Sequence, residues 1–167
     1  NTVAFYDNLY AGKYDVGGQL LDWDYEEGRT EWYARVAAEP AFKCSGKLLD
    51  IGCGMGGLLA ALPQRRDLKL FGVDFSPVAI ERVRQRVRGS FEVANVETLP
   101  FPSRSFDCVV STETLEHVDR EQRVLCEMAR VLKPGGTMFL TVPEKDHDLQ
   151  DHDWPRGHRM PIDPVPI

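Results

Sequence analysis

The 167-residue chain has no CxxC pair, no internal repeat, no low-complexity tract and no apolar run of membrane-spanning length. Each absence excludes something. A spanning helix needs about 20 consecutive apolar residues, so none is expected here. Cys44, Cys53, Cys108 and Cys126 are scattered, which encodes neither a zinc ribbon nor a disulfide scaffold and suits a reducing, cytoplasmic setting. A basic excess is lacking too. With 20 Lys and Arg against 26 Asp and Glu, the net charge is −6, which argues against a general nucleic-acid or membrane-surface protein. No signal peptide is visible. The chain opens on Asn1 rather than Met and is expected to start inside a longer gene product.

What the chain does have is organised around Leu48–Gly57, LLDIGCGMGG. The apolar run Leu48–Ile51 reads as a buried parallel strand. It meets a glycine turn, and Leu58–Leu62 then starts a helix. Strand, glycine turn and helix form a cofactor loop, in which glycine lets backbone and ligand approach closely and the helix N-terminus offers free N–H groups. Gly52, Gly54 and Gly57 satisfy GxGxxG, but that pattern alone is weak. Asp50 discriminates better. A carboxylate two residues before the first glycine repels a pyrophosphate and favours a ligand bearing ammonium and sulfonium groups. The reading is therefore S-adenosylmethionine (SAM) rather than NAD.

The rest of the core alternates strand and helix. Leu68–Asp74 is expected as the second strand, its terminal Asp74 placed 24 residues beyond Asp50 to meet two ribose hydroxyls. Ser76 and Pro77 start a helix as N-cap and first residue, with Ile80, Val83 and Val87 inward and Arg82, Arg84, Arg86 and Arg88 on a solvated face. Ser90–Val96 is expected as the third strand and Phe106–Ser111 as the fourth. Asp119 is expected to cap a helix burying Val124, Leu125, Met128, Val131 and Leu132. Lys133–Gly136 ends that helix, and Thr137–Val142 forms the fifth strand. Right-handed crossovers then imply an α/β, Rossmann-like parallel sheet in the order 3-2-1-4-5, with helices on both faces and the ligand at the strands' carboxyl ends. Three regions follow: a helical and loop cap over 1–45, with a helix at Thr30–Glu39 and Tyr14 or Arg29 reaching the ligand; the core, 46–143; and a polar, Pro-rich tail, 144–167.

LLDIGCGMGG, GVDFSP, ANVETLPFPSRSFDCVVSTETLEHV and ARVLKPGGTMFLTVP occur in that order. Over roughly Lys47 to Pro143 the chain resembles class I SAM-dependent methyltransferases, in the branch that makes ubiquinone and menaquinone. The resemblance implies that Asp50, Gly52, Cys53 and Gly54 meet the methionine part of SAM. It places Asp74 on the ribose, Phe75, Asn95 and Val96 around the adenine, and Ser111 near the sulfonium. The family often has Asp where Asn95 stands; an Asn carbonyl can still accept from the adenine amino group. The product would be S-adenosylhomocysteine. The usual sixth and seventh strands are absent, so the fifth strand, apolar and uncharged, is expected to be covered by the tail, by further residues or by a second copy in a homodimer.

Methyl transfer from a cationic sulphur depends mostly on orientation, and a base is needed only when the nucleophile carries a proton of high pKa. The candidates follow the fourth strand. His117 is the natural base, with Glu113 beside it; the alternative is that His117 packs or caps. Glu113, Glu116 and His117 would share one face of a helix and could hold Mg²⁺ or Mn²⁺, as in metal-assisted O-methyltransferases of quinones and RNA 3′ ends. Alternatively both acids are cofactor-loop and solvent residues. His147, His152 and His158 could add a ligand. The expected partner is a small-molecule acceptor methylated at O, N or C; a SAM-binding module without transfer activity is the other reading.

Overall fold

The computed structural model describes residues 3–16, 19–22, 29–39, 45–63 and 66–142. Tyr14's side chain, Cys44 and the tail histidines lie outside the described residues. The elements run α1 (Val3–Tyr10), β1 (Lys13–Val16), β2 (Gln19–Asp22), α2 (Thr30–Ala38), β3 (Gly46–Ile51), α3 (Gly57–Ala61), β4 (Leu68–Asp74), α4 (Pro77–Arg86), β5 (Ser90–Val93), β6 (Phe106–Thr112), α5 (Glu121–Val131) and β7 (Leu132–Thr141).

The central sheet has the order β5-β4-β3-β6-β7, and every described pairing in it is parallel. This is the expected 3-2-1-4-5 arrangement. Leu48, Leu49 and Ile51 are fully buried because β3 is central and covered on both faces. One core cluster joins α2, α3 and α4 to Leu48 and Val110; the other joins α5 to Leu49, Ile51 and Val109. Alternate residues of the same strands thus serve opposite layers.

Ser76 caps α4 as expected, its Oγ accepting the Ala79 N–H at 3.1 Å. Three local expectations need correction. Helix α5 begins after Arg120, with no side-chain cap, so Asp119 does not cap it. Leu125 is exposed, because the buried stripe Val124, Met128 and Val131 is one residue out of phase with it. Leu132 has already left the helix and pairs with Phe106. The third strand also stops at Val93, since Asn95 turns the chain: its Oδ1 accepts Glu97 N–H at 2.8 Å. A hairpin, β1–β2, adds a second small sheet that the irregular N-terminal pattern did not announce. Among the described residues β7 pairs only with β6, leaving one edge of the sheet on that side.

Candidate active site

The carboxyl ends of β3, β4, β5 and β6 and the inner face of α1 enclose a cavity of about 540 Å³. Its floor is the glycine loop. Gly52, Gly54 and Gly56 all have positive φ, at 75°, 49° and 79°, a conformation that costs other L-residues heavily. The loop hangs from β4, with the N–H groups of Gly52 and Cys53 both donating to Val73 O. A Cβ on Gly52 would lie 2.3 Å from Thr114 Oγ1, whereas one on Gly54 would meet the Tyr10 hydroxyl at 3.3 Å. The first glycine therefore lets protein pack on protein. The second keeps the cavity floor bare beneath Tyr10.

Two acids stand behind this floor. Asp50 is 1% exposed, and its Oδ1 is buried without a hydrogen-bond partner. Burial, and then the neighbouring charge of Asp74, push its pKa up to about 8. Asp74 is also buried, and desolvation raises its pKa despite opposing N–H bonds from Ser76, Gly54 and Phe75. Its Oδ2 accepts from Gly54 N and its Oδ1 from Ser76 N, both at 2.9 Å. Two carboxylates in one dry pocket suit a cationic ligand and oppose a pyrophosphate. The Cys53 thiol lies on the same floor, and burial followed by the charges of Asp50 and Asp74 holds it protonated.

A cation entering beside Asp50 favours its ionised form. Below pH 8 such a ligand is expected to displace a proton and to bind more tightly as pH rises toward 8, levelling off above it. The sign for folding is opposite. Asp50's contribution to stability of the empty protein is complete below its ordinary 3.8 and is lost as pH rises to about 8. Titration calorimetry of SAM at pH 7 in two buffers of different ionisation heat reads the released proton directly; equal apparent heats would exclude it.

The remaining expected residues divide. Phe75, Asn95, Val96 and His117 line the cavity. Ser111 does not: it is fully buried and donates to Ile51 O at 3.0 Å, tying β6 to β3. Thr112 and Thr114, one and three residues beyond Ser111, take the wall instead. Glu113 lines the cavity but sits in left-handed backbone, φ 52°. Its Oε1 accepts the Thr141 hydroxyl at 3.0 Å, and its Oε2 is buried without a partner.

That left-handed residue overturns the shared-face expectation. Only Leu115–His117 coil, as a single 3₁₀ turn, so Glu113 is not on a helix with Glu116 and His117. Among the described residues no three His, Cys, Asp or Glu side chains gather as a metal site. Burial, and then Glu113's charge, raise Glu116 to about 7. His117 is held below its ordinary 6.5 by burial and by Arg29, so it is neutral at neutral pH and can accept a proton.

Sequence reading expected a cap from the N-terminal segment but did not single out the tyrosines that form it. Tyr6 packs edge-on against Phe75 (ring centroids 5.0 Å apart) and against His117 (5.7 Å). Asp7 accepts the hydroxyl hydrogen of Ser76, the cap of α4, so one serine caps a helix and docks α1 over the cavity. Tyr6, Tyr10 and Arg29 all line it. Arg29 was anticipated; nothing in the irregular spacing of the tyrosines marked Tyr6 and Tyr10.

A 3-2-1-4-5 parallel sheet with a glycine loop after its central strand is a doubly wound, Rossmann-like fold, with its site at the strands' carboxyl ends. The chain belongs to the SAM-dependent methyltransferases: the methyltransferase domain family matches residues 49–140. It is 34% identical over 148 residues to the 27-O-demethylrifamycin SV methyltransferase of Amycolatopsis mediterranei, covering 82% of this chain and 53% of that protein. It is 34% identical over 135 residues to the demethylmenaquinone methyltransferase of Symbiobacterium thermophilum, covering 75% and 53%. The PH0226 protein of Pyrococcus horikoshii OT3 superposes with a TM-score of 0.63 at 26% identity, covering 73% of this chain and 57% of that one. The [4+2]-cyclase SpnF shares the fold, with a TM-score of 0.61 at 23% identity and coverage of 84% and 56%. The chain spans about half the length of the curated relatives it matches. Among the described residues no helix is long and apolar enough to cross a membrane.

Proposed function

We propose that this chain binds SAM in the cavity above Gly52–Gly54 and directs its methyl group to a small-molecule nucleophile. The observation that carries this reading is the Asp50–Asp74 pair behind the glycine loop, with Asp50 Oδ1 buried and unpartnered. Bound SAM supplies a methyl group activated by a cationic sulphur. Asp50 favours the positive charge of the methionine end, and Asp74 at the β4 terminus receives ribose hydroxyls. Phe75, Val96 and Asn95 frame the base, although Asn95's carbonyl already serves Glu97 N–H. The roof of Tyr6 and Tyr10 excludes water and offers aromatic faces to a cation. Calorimetric titration should show SAM binding and no NAD binding; NAD binding, or neither, would overturn the reading.

His117 takes the acceptor's proton where the nucleophile is a hydroxyl or protonated amine. General-base catalysis contributes about 10²–10⁴-fold, so His117→Ala is expected to lower turnover on that scale while SAM affinity holds. Its lowered pKa sets the acid limb: turnover falls where His117 protonates, at a pH below the ordinary 6.5. An unchanged acid limb in the variant would remove this role. For a carbon acceptor, or for a protein that binds SAM without transfer, the same variant leaves function intact. The shared fold with a protein named as a cyclase favours keeping that second reading.

Among the described residues the outer edge of β7 has no partner strand, which also supports a homodimer paired strand to strand. Light scattering should then give twice the chain mass, and a monodisperse monomer would refute it.

A further inference from the structure

The segment from Ala94 to Ser105 crosses from β5 to β6 with no helix or strand of its own. Its first part faces the cavity through Asn95, Val96 and Glu97. Its second part, Leu99-Pro100-Phe101-Pro102, cannot become a helix, because two prolines remove donors and disfavour helical backbone before them. The remaining backbone groups need partners from elsewhere.

Helix α5 supplies them from one ion pair. Glu127 Oε2 accepts Leu99 N–H at 2.7 Å. Arg130 donates to Phe101 O at 2.7 Å and to Leu99 O at 3.2 Å. The two side chains lock each other, with Arg130 Nε to Glu127 Oε1 at 2.6 Å and Nη2 to Oε2 at 2.7 Å. Arg123 Nε adds a bond to Glu97 O at 3.2 Å. A planar guanidinium can serve a carboxylate and two carbonyls at once; an ammonium cannot do so in the same geometry. Neither Glu127 nor Arg130 lines the 540 Å³ cavity, so neither can touch its ligand.

We propose that the Glu127–Arg130 pair is a positioning device, holding this proline-interrupted segment in the shape that presents Asn95, Val96 and Glu97 to the cofactor's base. The inference rests on the reading that the cavity takes SAM with its base against this segment. The pair stays ionised through the working range, since each partner stabilises the other's charge: Glu127 is held below its ordinary range by Arg130, and Arg130 above its own by Glu127. Its effect is therefore constant with pH.

The test uses the whole chain and binding rather than turnover. S-adenosylhomocysteine and S-inosylhomocysteine differ only at the base, so their affinity ratio reports how well the base is read. The wild type should prefer the adenine form. Arg130→Ala is expected to weaken S-adenosylhomocysteine about tenfold, and the inosine form less than about threefold, since only the ordered segment tells the bases apart. Hydrogen exchange over residues 94–102 should rise in the same variant. Lys133→Ala breaks a different surface pair, Lys133 with Asp107, and should leave the ratio alone. Wild-type protein that binds neither ligand refutes the proposed function. Wild-type protein that binds both equally, or a folded Arg130→Ala that weakens both alike or neither, refutes the positioning role. If Arg130→Ala does not fold, Arg130→Lys carries the test: a reduced ratio supports the proposal and a wild-type ratio overturns it.

Discussion

Replacing Asp74 by alanine is expected to weaken SAM binding by about 100-fold and to destabilise the protein as well. The residue does more than a strand-end ligand would. Its two oxygens hold the N–H groups of Gly54 and Ser76 at 2.9 Å, so it joins the glycine loop to the start of α4. Bonds to charged groups contribute about 1.5–3 kcal/mol each, and a buried N–H left unpaired costs more than a bond simply lost. Alanine strands two such donors and removes the ribose acceptor together. Asparagine is a poor rescue, because its single carbonyl can meet one of the two donors while its amide opposes the other. Removal of Asp74 also takes away the charge that helps raise Asp50, so the proton released on SAM binding should shrink. Calorimetry and thermal melts on one preparation separate the effects. A variant with wild-type melting and wild-type affinity would show that Asp74 neither holds the loop nor meets the ribose. Ser111→Ala is the contrast: it breaks one bond to Ile51 O, away from the cavity, and should cost about 1 kcal/mol of stability with SAM affinity unchanged.

Gly52→Ala should destabilise the protein by about 3 kcal/mol. Left-handed backbone at φ 75° costs a residue with a Cβ about 1–2 kcal/mol. The new methyl would also stand 2.3 Å from Thr114 Oγ1 and 2.5 Å from its Cγ2. Thr114 has little room to withdraw, because its hydroxyl bonds Ile51 O and Thr112 O. For a domain of this size the penalty corresponds to a melting temperature lower by about 10 °C. Thr114→Gly in the same chain clears the clash but leaves the backbone strain, so the double variant should recover roughly half. A melting temperature within a degree or two of wild type in Gly52→Ala would mean that the loop tolerates a Cβ and that its glycine serves only ligand approach.

The parallel sheet, its strand order and the glycine loop were legible in the residues themselves, because the signals that specify them are local. Leu48, Leu49 and Ile51 put apolar side chains on both faces of a strand, glycines follow at the turn, and Ser76 and Pro77 mark a helix start, whereas Lys133–Gly136, read as a helix end, lies within β7. Right-handed crossovers then leave few arrangements. The acids at Asp50 and Asp74 were legible for the same reason, since the last residues of a strand, Asp50 next to the end of β3 and Asp74 at the end of β4, must lie at the sheet's carboxyl edge. What only the tertiary structure decided is where side chains near those ends point and which distant groups they meet. Ser111 turns into the sheet toward Ile51, 60 residues away, and yields the cavity wall to Thr112 and Thr114. Glu113 takes a left-handed conformation, which dissolves the helical face expected of Glu113, Glu116 and His117. Asp7 reaches Ser76 across 69 residues to seat the roof, and Arg130 reaches Phe101 across 29 to hold the far wall. No periodicity encodes such pairs. They follow from the closeness of chain segments that burial of the two core layers brings together, and hydrogen bonds satisfied there are chosen after the fold has placed them.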